Sequence, residues 1–402
     1  MKINNDIPAY RFQGYTDAWE LRKLGEVSKK ISEKNVDNLY SETFTNSAEH
    51  GIISQRDFFD KDISNATNLN TYYIVRNNDF VYNPRISNYA PVGPVKRNKL
   101  GRTGVMSPLY YVFRTHDIDE GYLETYFDTT YWHSFMKLNG DSGARADRFA
   151  IKDSVFAEMP LPIPSLPEQE AIGTFFSTLD RHITLHQRKL DTLKQQKKTY
   201  LKLLFPAKGQ TKPVLRFQGF EDDWKEVKLG EVLVEYNKKS EIENQFELLS
   251  STNSGIEPRS GRVSGESNIG YKIIKRGMVV LSPQNLWLGN INYNAKFEIG
   301  IVSPSYKVFN INGPNELYLA TVLRLPKMFF EYAQASVQGA SIVRRNLDLD
   351  LFSSILVQLP SLPEQEVIGT FFQTLDQELA QVEDKLASLK EMKKTLLHRI
   401  FV

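Results

Sequence analysis

Between residues 85 and 102 the chain carries Arg85, Lys96, Arg97, Lys99 and Arg102 with no acid among them, interleaved with Asn83, Asn88, Asn98 and glycines. A guanidinium holds guanine through two hydrogen bonds, an asparagine or glutamine amide does the same for adenine, and an ammonium neutralises phosphate. A second basic stretch, 259–276, carries Arg259, Arg262, Lys272, Lys275 and Arg276 against one acid, Glu266. The amide-rich loop after it holds Gln284, Asn285, Asn290, Asn292 and Asn294. A solvated polar loop has the same composition, so on these residues alone base reading and plain solvation both stand.

Smaller constellations accompany these stretches. The segments 141–145 and 338–342 are rich in small residues, and with Ser142, Arg145, Arg148, Gln338, Ser341 and Arg344 they are candidates for backbone approach to a phosphate, or for plain turns after a helix. A Thr-Asn-Ser triplet places Asn46 and Asn253 among the candidates as well. His182 and His186 have the spacing of a helical metal pair, but no acid lies between them, so no metal site is assigned and His186 is read as a register-fixing seam residue. Asn83-Pro84-Arg85 is only a fragment of the motif with which adenine methyltransferases hold a base. There is no Gly-x-x-x-x-Gly-Lys-Ser/Thr loop, no cysteine and no nucleophile–base pair among six scattered histidines, which argues against catalysis in this chain.

Bulk properties restrict the rest. A length of 402 residues predicts two to three domains, and 41% hydrophobic with 24% charged residues is ordinary for a globular protein. The formal net charge is only +2, so any nucleic-acid contact must come from local patches. No run of about 18 apolar residues predicts a membrane span, and the first residues lack a signal-peptide core, so a cytoplasmic location is expected.

The elements that position these residues come in duplicate. Arg11-Phe12-Gln13-Gly14-Tyr15, Asp17, Trp19 and Leu24-Gly25-Glu26-Val27 recur 205 residues later as Arg216-Phe217-Gln218-Gly219-Phe220, Asp222, Trp224 and Leu229-Gly230-Glu231-Val232. Ser107-Pro108, Tyr110 and Val112-Phe113 recur at an offset of 196, as do the segments 164–170 and 172–176. The second copy has therefore lost a net nine residues between about 233 and 300. Segments 28–104 and 233–300 share little, which reads as one frame holding two different surfaces, or as drift in unconstrained loops.

After Pro167 the apolar positions Ile172, Phe176, Leu179, Ile183, His186, Leu190, Leu193, Lys197, Tyr200 and Leu204 alternate spacings of four and three, the seam of a coiled coil. Ile368, Phe372, Leu375, Leu379, Val382, Leu386, Leu389, Lys393, Leu396 and Ile400 repeat it. Each helix opens with Pro-Glu-Gln-Glu, suited to a first turn, and about 38 residues give roughly 57 Å. The short connection 206–214 predicts that the second helix runs antiparallel to the first, with a globular unit at each end, and Lys197 and Lys393 are read as snorkelling residues.

Each globular copy reads as α+β with short strands at 72–75, 80–82 and 110–113, matched by 271–274, 278–281 and 306–309. One helix is predicted after each third strand, at 121–138 and 316–334, with its aromatics in the core.

The repeated opening Arg-Phe-x-Gly-Phe/Tyr-x-x-x-Trp-x-x-x-x-Leu-Gly-Glu-Val, and Leu-Pro-Glu-Gln-Glu-x-Ile-Gly before a long Lys-rich helix, resemble the DNA-specificity subunit of type I restriction-modification enzymes across essentially the whole chain. The resemblance implies target-recognition domains at 1–163 and 215–359, spacer helices at 164–206 and 360–402, and a linker at 207–214. It further implies that each domain reads half of a bipartite duplex DNA site while the helices fix the gap. Two methyltransferase subunits would supply S-adenosylmethionine and a translocase-nuclease would add ATP- and Mg-dependent cleavage, with no cofactor held by this chain. A fused methyltransferase or nuclease with divergent motifs, or a scaffold that never touches bases, are the alternatives.

Overall fold

The computed structural model describes residues 8, 10–59, 66–141, 147–207, 209–259, 267–341 and 344–401. The chain divides into two compact units, residues 1–187 with 385–402, and residues 188–384.

In the first unit β1 (Ser28–Lys30), β2 (Phe80–Tyr82), β3 (Val95–Arg97) and β4 (Tyr111–Thr115) form an antiparallel sheet of order β1-β4-β2-β3. Alternation along a strand decides the layers. Phe80, Tyr82 and Phe113 point into the main core, whereas Val81 and Val112 point into a smaller cluster with Phe44 and Met106. The sheet is covered on both faces, which is why the interior strand β2 is buried along its whole length and carries no charged residue. The second unit repeats the sheet with β5 (Leu233–Glu235), β6 (Val279–Leu281), β7 (Ile291–Tyr293) and β8 (Lys307–Ile311) in the order β5-β8-β6-β7. Val279, Leu281 and Phe309 face one core, and Val280 and Val308 the other.

The predicted single helix after the third strand is two helices in each unit. In the first, α1 (Glu120–Phe127) ends before Asp128-Thr129 and α2 (Tyr131–Asn139) follows. The Thr129 hydroxyl donates to the Tyr126 carbonyl at 2.7 Å, a local bond that competes with helix continuation. In the second, α4 (Glu316–Leu323) is followed by α5 (Pro326–Gln334), which opens on Pro326 because a residue without an N–H cannot continue the earlier helix.

Two long helices, α3 (Leu166–Leu203) of 38 residues and α6 (Leu362–Ile400) of 39, each contribute to both units. The seam residues Ile172, Phe176, Leu179, Leu190, Leu193 and Leu204 are buried. So are Ile368, Phe372, Leu375, Leu379, Val382, Leu386, Leu389 and Ile400, while Ile183 is partly buried against the first core. The helices run antiparallel within each unit. In the first, Asp180 pairs with Lys393 at 2.7 Å and Gln187 accepts from Lys390 at 3.3 Å; in the second, Lys197 pairs with Asp376 and Tyr200 meets Phe371. Lys197 and Lys393 therefore do not snorkel: at equivalent places of the repeat, each bridges to an aspartate of the opposite helix. Half-buried His186 directs Nδ1 to its own His182 carbonyl at 2.8 Å.

The two repeated motifs meet each other. Glu168, in the first turn of α3, is 1% exposed and accepts from Arg11 Nε at 2.8 Å and Nη2 at 2.6 Å, and from the Trp19 indole at 3.3 Å. Gln169 accepts the Asp119 N–H at 2.9 Å and donates to the Pro164 carbonyl at 2.8 Å. In the second unit Arg216 holds Glu364 at 2.7 Å through both nitrogens, and Gln365 bonds Asn315 and Pro360 in the same way. The first-turn carboxylate, placed where it complements the helix dipole, is thus also the ion-pair partner in a closed joint.

Candidate nucleic-acid interface

The loop joining β2 to β3 begins at Asn83-Pro84-Arg85. Its mouth is closed by the Asn83 N–H donating to the Pro94 carbonyl at 2.9 Å. Buried Asn46 pins the same mouth by donating to the Val81 carbonyl at 2.7 Å and the Pro94 carbonyl at 3.3 Å, while Asn83 donates back to the Asn46 carbonyl at 2.8 Å. Gly93 has φ +83°, and a Cβ there would lie 2.2 Å from the Asn83 carbonyl oxygen, so only glycine closes the turn. Ser87 and Ala90 exchange backbone hydrogen bonds at 3.1 Å, holding Asn88 and Tyr89 at an exposed tip. Tyr89 is 80% exposed. A cavity of about 580 Å³ beside this loop is lined by Asn83, Arg85, Tyr89, Leu109 and Arg148 among others.

The remaining candidates of the first basic stretch are partnered by acids distant in sequence. Lys96 bonds Asp128 at 2.8 Å, Arg97 meets Glu124 at 2.7 Å, Lys99 pairs with the same Glu124, and Arg102 grips Glu42 through two bonds of 2.8 Å. The Arg102 guanidinium holds the Glu42 carboxyl below its ordinary range against the opposing effect of burial. Asn98 is fully buried and donates to the Arg76 and Arg102 carbonyls at 3.0 Å. Arg85 is the exception: its side chain is 68% exposed, with Asp147 at 3.6 Å as its one ion-pair contact among the described residues. Arg148 is half-buried and bridges Arg85 through the backbone. Ser142 and Arg145 lie outside the described residues.

In the second unit the loop joining β6 to β7 begins at Ser282-Pro283-Gln284, and the Ser282 N–H donates to the Asn290 carbonyl at 3.0 Å. Asn290 is buried, exchanging bonds with Ser251 at 2.7 and 2.9 Å, and Asn292 donates to the Ser251 hydroxyl at 2.8 Å and the Thr252 carbonyl at 2.7 Å. Gln284 is exposed, Asn285 half-buried, and Leu288 is 45% exposed. Asn253 is exposed, with its carbonyl held by Arg324 at 3.1 Å. Arg259 is half-buried, and its N–H donates to the Leu248 carbonyl. Lys272 is buried, and its ammonium is pushed down by desolvation and by Lys307, with Glu235 opposing. Arg262 lies outside the described residues. Gln338 and Ser341 fall in the strand Ser336–Ser341, which pairs with Arg344–Leu347, so this small-residue segment is strand up to Ser341 rather than a turn.

The frame thus gathers Arg85, Asn88 and Arg148 at one loop and Gln284 and Asn285 at its counterpart, and takes up Asn46, Asn98 and Asn290 inside. Sequence reasoning missed Tyr89 and Leu109, since nothing in the residue types separates an exposed aromatic or leucine from a core one. Among the described residues no three His, Asp or Glu side chains are grouped to hold a metal ion, and no helix is long and apolar enough to cross a membrane.

The model of the family described as Type I restriction modification DNA specificity domain matches residues 16–195 and again 221–391. The chain is similar in structure to the S subunit of a type I restriction-modification system from M. genitalium, with a TM-score of 0.61 and 16% identity over 98% of this chain and 99% of that one. The HsdS subunit from Thermoanaerobacter tengcongensis gives a TM-score of 0.43 and 15% identity, with 98% of each chain covered. No curated protein matches in sequence.

Proposed function

Because the chain belongs to the type I restriction-modification DNA specificity family, we propose that its two units each read one half of an asymmetric bipartite site on duplex DNA while the paired helices set the unread gap. The observation that carries this is the contrast between joint and loop. The two Arg–Glu bonds and the two Gln bonds of the joint recur in both units, whereas the loops between matched strands, 83–94 and 282–290, differ in length and in nearly every side chain. A common frame carrying unlike surfaces suits two unlike half-sites.

On this reading the chain is non-catalytic and cytoplasmic. It docks two methyltransferase subunits, which bring S-adenosylmethionine, and a translocase-nuclease, which brings ATP and Mg. Phosphate neutralisation is then shared with those partners, in keeping with a net charge of only +2. The test is to map methylated adenines in cells that express this chain with its methyltransferase. An asymmetric split motif with a constant gap is expected; a palindromic or unsplit motif overturns the reading.

A further inference from the structure

The two loops are unlike, yet one position in them is the same. Pro84 and Pro283 follow the matched strands β2 and β6 by two residues, and the residue before each proline closes the loop onto the residue before the next strand. The side chain after the proline is Arg85 in one unit and Gln284 in the other, both exposed. From this equivalence we infer that Arg85 and Gln284 are the base-reading residues of their units, Arg85 taking a guanine and Gln284 an adenine. The inference rests on the proposed DNA-reading function and names the specificity-determining residues within it.

Either side chain can donate to a phosphate oxygen, but a position serving to neutralise phosphate would carry a cation in both units, because every phosphate is alike and glutamine has no charge to offer. Arginine and glutamine at one fixed place share a different property. Each presents a planar, two-point hydrogen-bonding group on a long stem, the first matched to the O6 and N7 of guanine and the second to the N6 and N7 of adenine. The base of each loop is fixed as a precise reader requires, by buried Asn46 under one and by buried Asn290 and Asn292 under the other. Asp147, at 3.6 Å and 54% exposed, is too weak a partner to retain Arg85 when a base offers two bonds.

The test compares the methylated motifs of complexes carrying the native chain, Arg85→Gln or Gln284→Arg, each assembled with methyltransferase. Arg85→Gln is expected to convert one guanine position of one half-site to adenine, and Gln284→Arg to convert one adenine position of the other half-site to guanine, with the gap unchanged. A gained preference cannot come from misfolding. Competition with duplexes substituted at single positions provides the second measurement: Arg85→Ala should lose roughly 5- to 150-fold of guanine preference at one position. A uniform loss across all duplexes, an unchanged motif in both variants, or both variants altering the same half-site overturns the assignment. Failure of the native complex to give any split motif would instead defeat the underlying reading.

Discussion

Lys393 lies between two carboxylates, Asp180 at 2.7 Å and Asp128 at 3.1 Å, and Asp128 also holds Lys96 at 2.8 Å. Burial pushes the Asp128 carboxyl up, but the two ammonium groups outweigh it and hold it below its ordinary range. Burial lowers Lys393, and its two aspartates outweigh that and raise it. The depressed carboxyl stabilises the fold above the ordinary aspartate value and loses that contribution as pH falls through its folded value. The raised ammonium stabilises below the ordinary lysine value and loses its contribution as pH rises through its folded value. Lys393→Met should therefore cost about 1–3 kcal/mol at neutral pH, with the deficit shrinking at both extremes. Lys197→Met should cost less, since its partner Asp376 is 53% exposed. Unfolding midpoints across pH check this, and a deficit independent of pH would contradict it. Such partnerships explain what the residues alone did not reveal. The segment 85–102 contains no acid, yet Glu42, Glu124 and Asp128 reach Arg102, Arg97 and Lys96 from elsewhere in the chain. Asn46 and Asn88 are likewise the same residue type, and burial alone separates a loop anchor from a surface amide.

The seam of α3 and α6 was legible because helical periodicity is local: each spacing of three or four is contained within one turn. The joint at the head of α3 was not, because Arg11 and Glu168 are 157 residues apart and a motif does not announce its partner. The glycine after Pro-Glu-Gln-Glu-x-Ile belongs to the same joint. A Cβ on Gly173 would lie 2.6 Å from the Asp119 carboxylate and 2.8 Å from the Gly121 carbonyl carbon, where α3 crosses the start of α1; a Cβ on Gly369 would lie 2.7 Å from the Tyr318 backbone nitrogen in the second unit. In an unobstructed helix interior, glycine to alanine stabilises by about 1 kcal/mol. At Gly173 the sign should reverse, because backbone and a capping carboxylate cannot yield: Gly173→Ala should destabilise by about 1–3 kcal/mol. Thermal unfolding of the variant decides this, and a raised midpoint would mean that the crossing is looser than the geometry states.

At the scale of the whole chain, the repeat extends to the way each core is sealed. Phe205, just past the end of α3, packs in the second unit against Trp224 at 6.3 Å, Tyr318 at 5.8 Å and Phe372 at 5.8 Å. Phe401, just past the end of α6, packs in the first unit against Trp19 at 6.0 Å, Tyr122 at 5.6 Å and Tyr126 at 5.8 Å. The backbone repeats the correspondence: the Leu215 N–H donates to the Leu203 carbonyl at 2.8 Å, and the Tyr10 N–H donates to the Arg399 carbonyl at 3.3 Å. The first of these bonds is spanned by the covalent linker 206–214, the second by no peptide, yet the geometry is shared. Chain order is therefore not what holds either core together. A permuted chain, opened within 206–214 and joined from residue 401 to residue 10 by a linker of similar length, should fold with an unfolding midpoint within a few degrees of the native chain, since both sealing contacts survive the cut. Assembled with methyltransferase, it should mark the same motif. Loss of the cooperative transition on permutation would show that the segment 206–214 contributes more than a connection, and that the matching contacts at the two helix ends are unequal in energy.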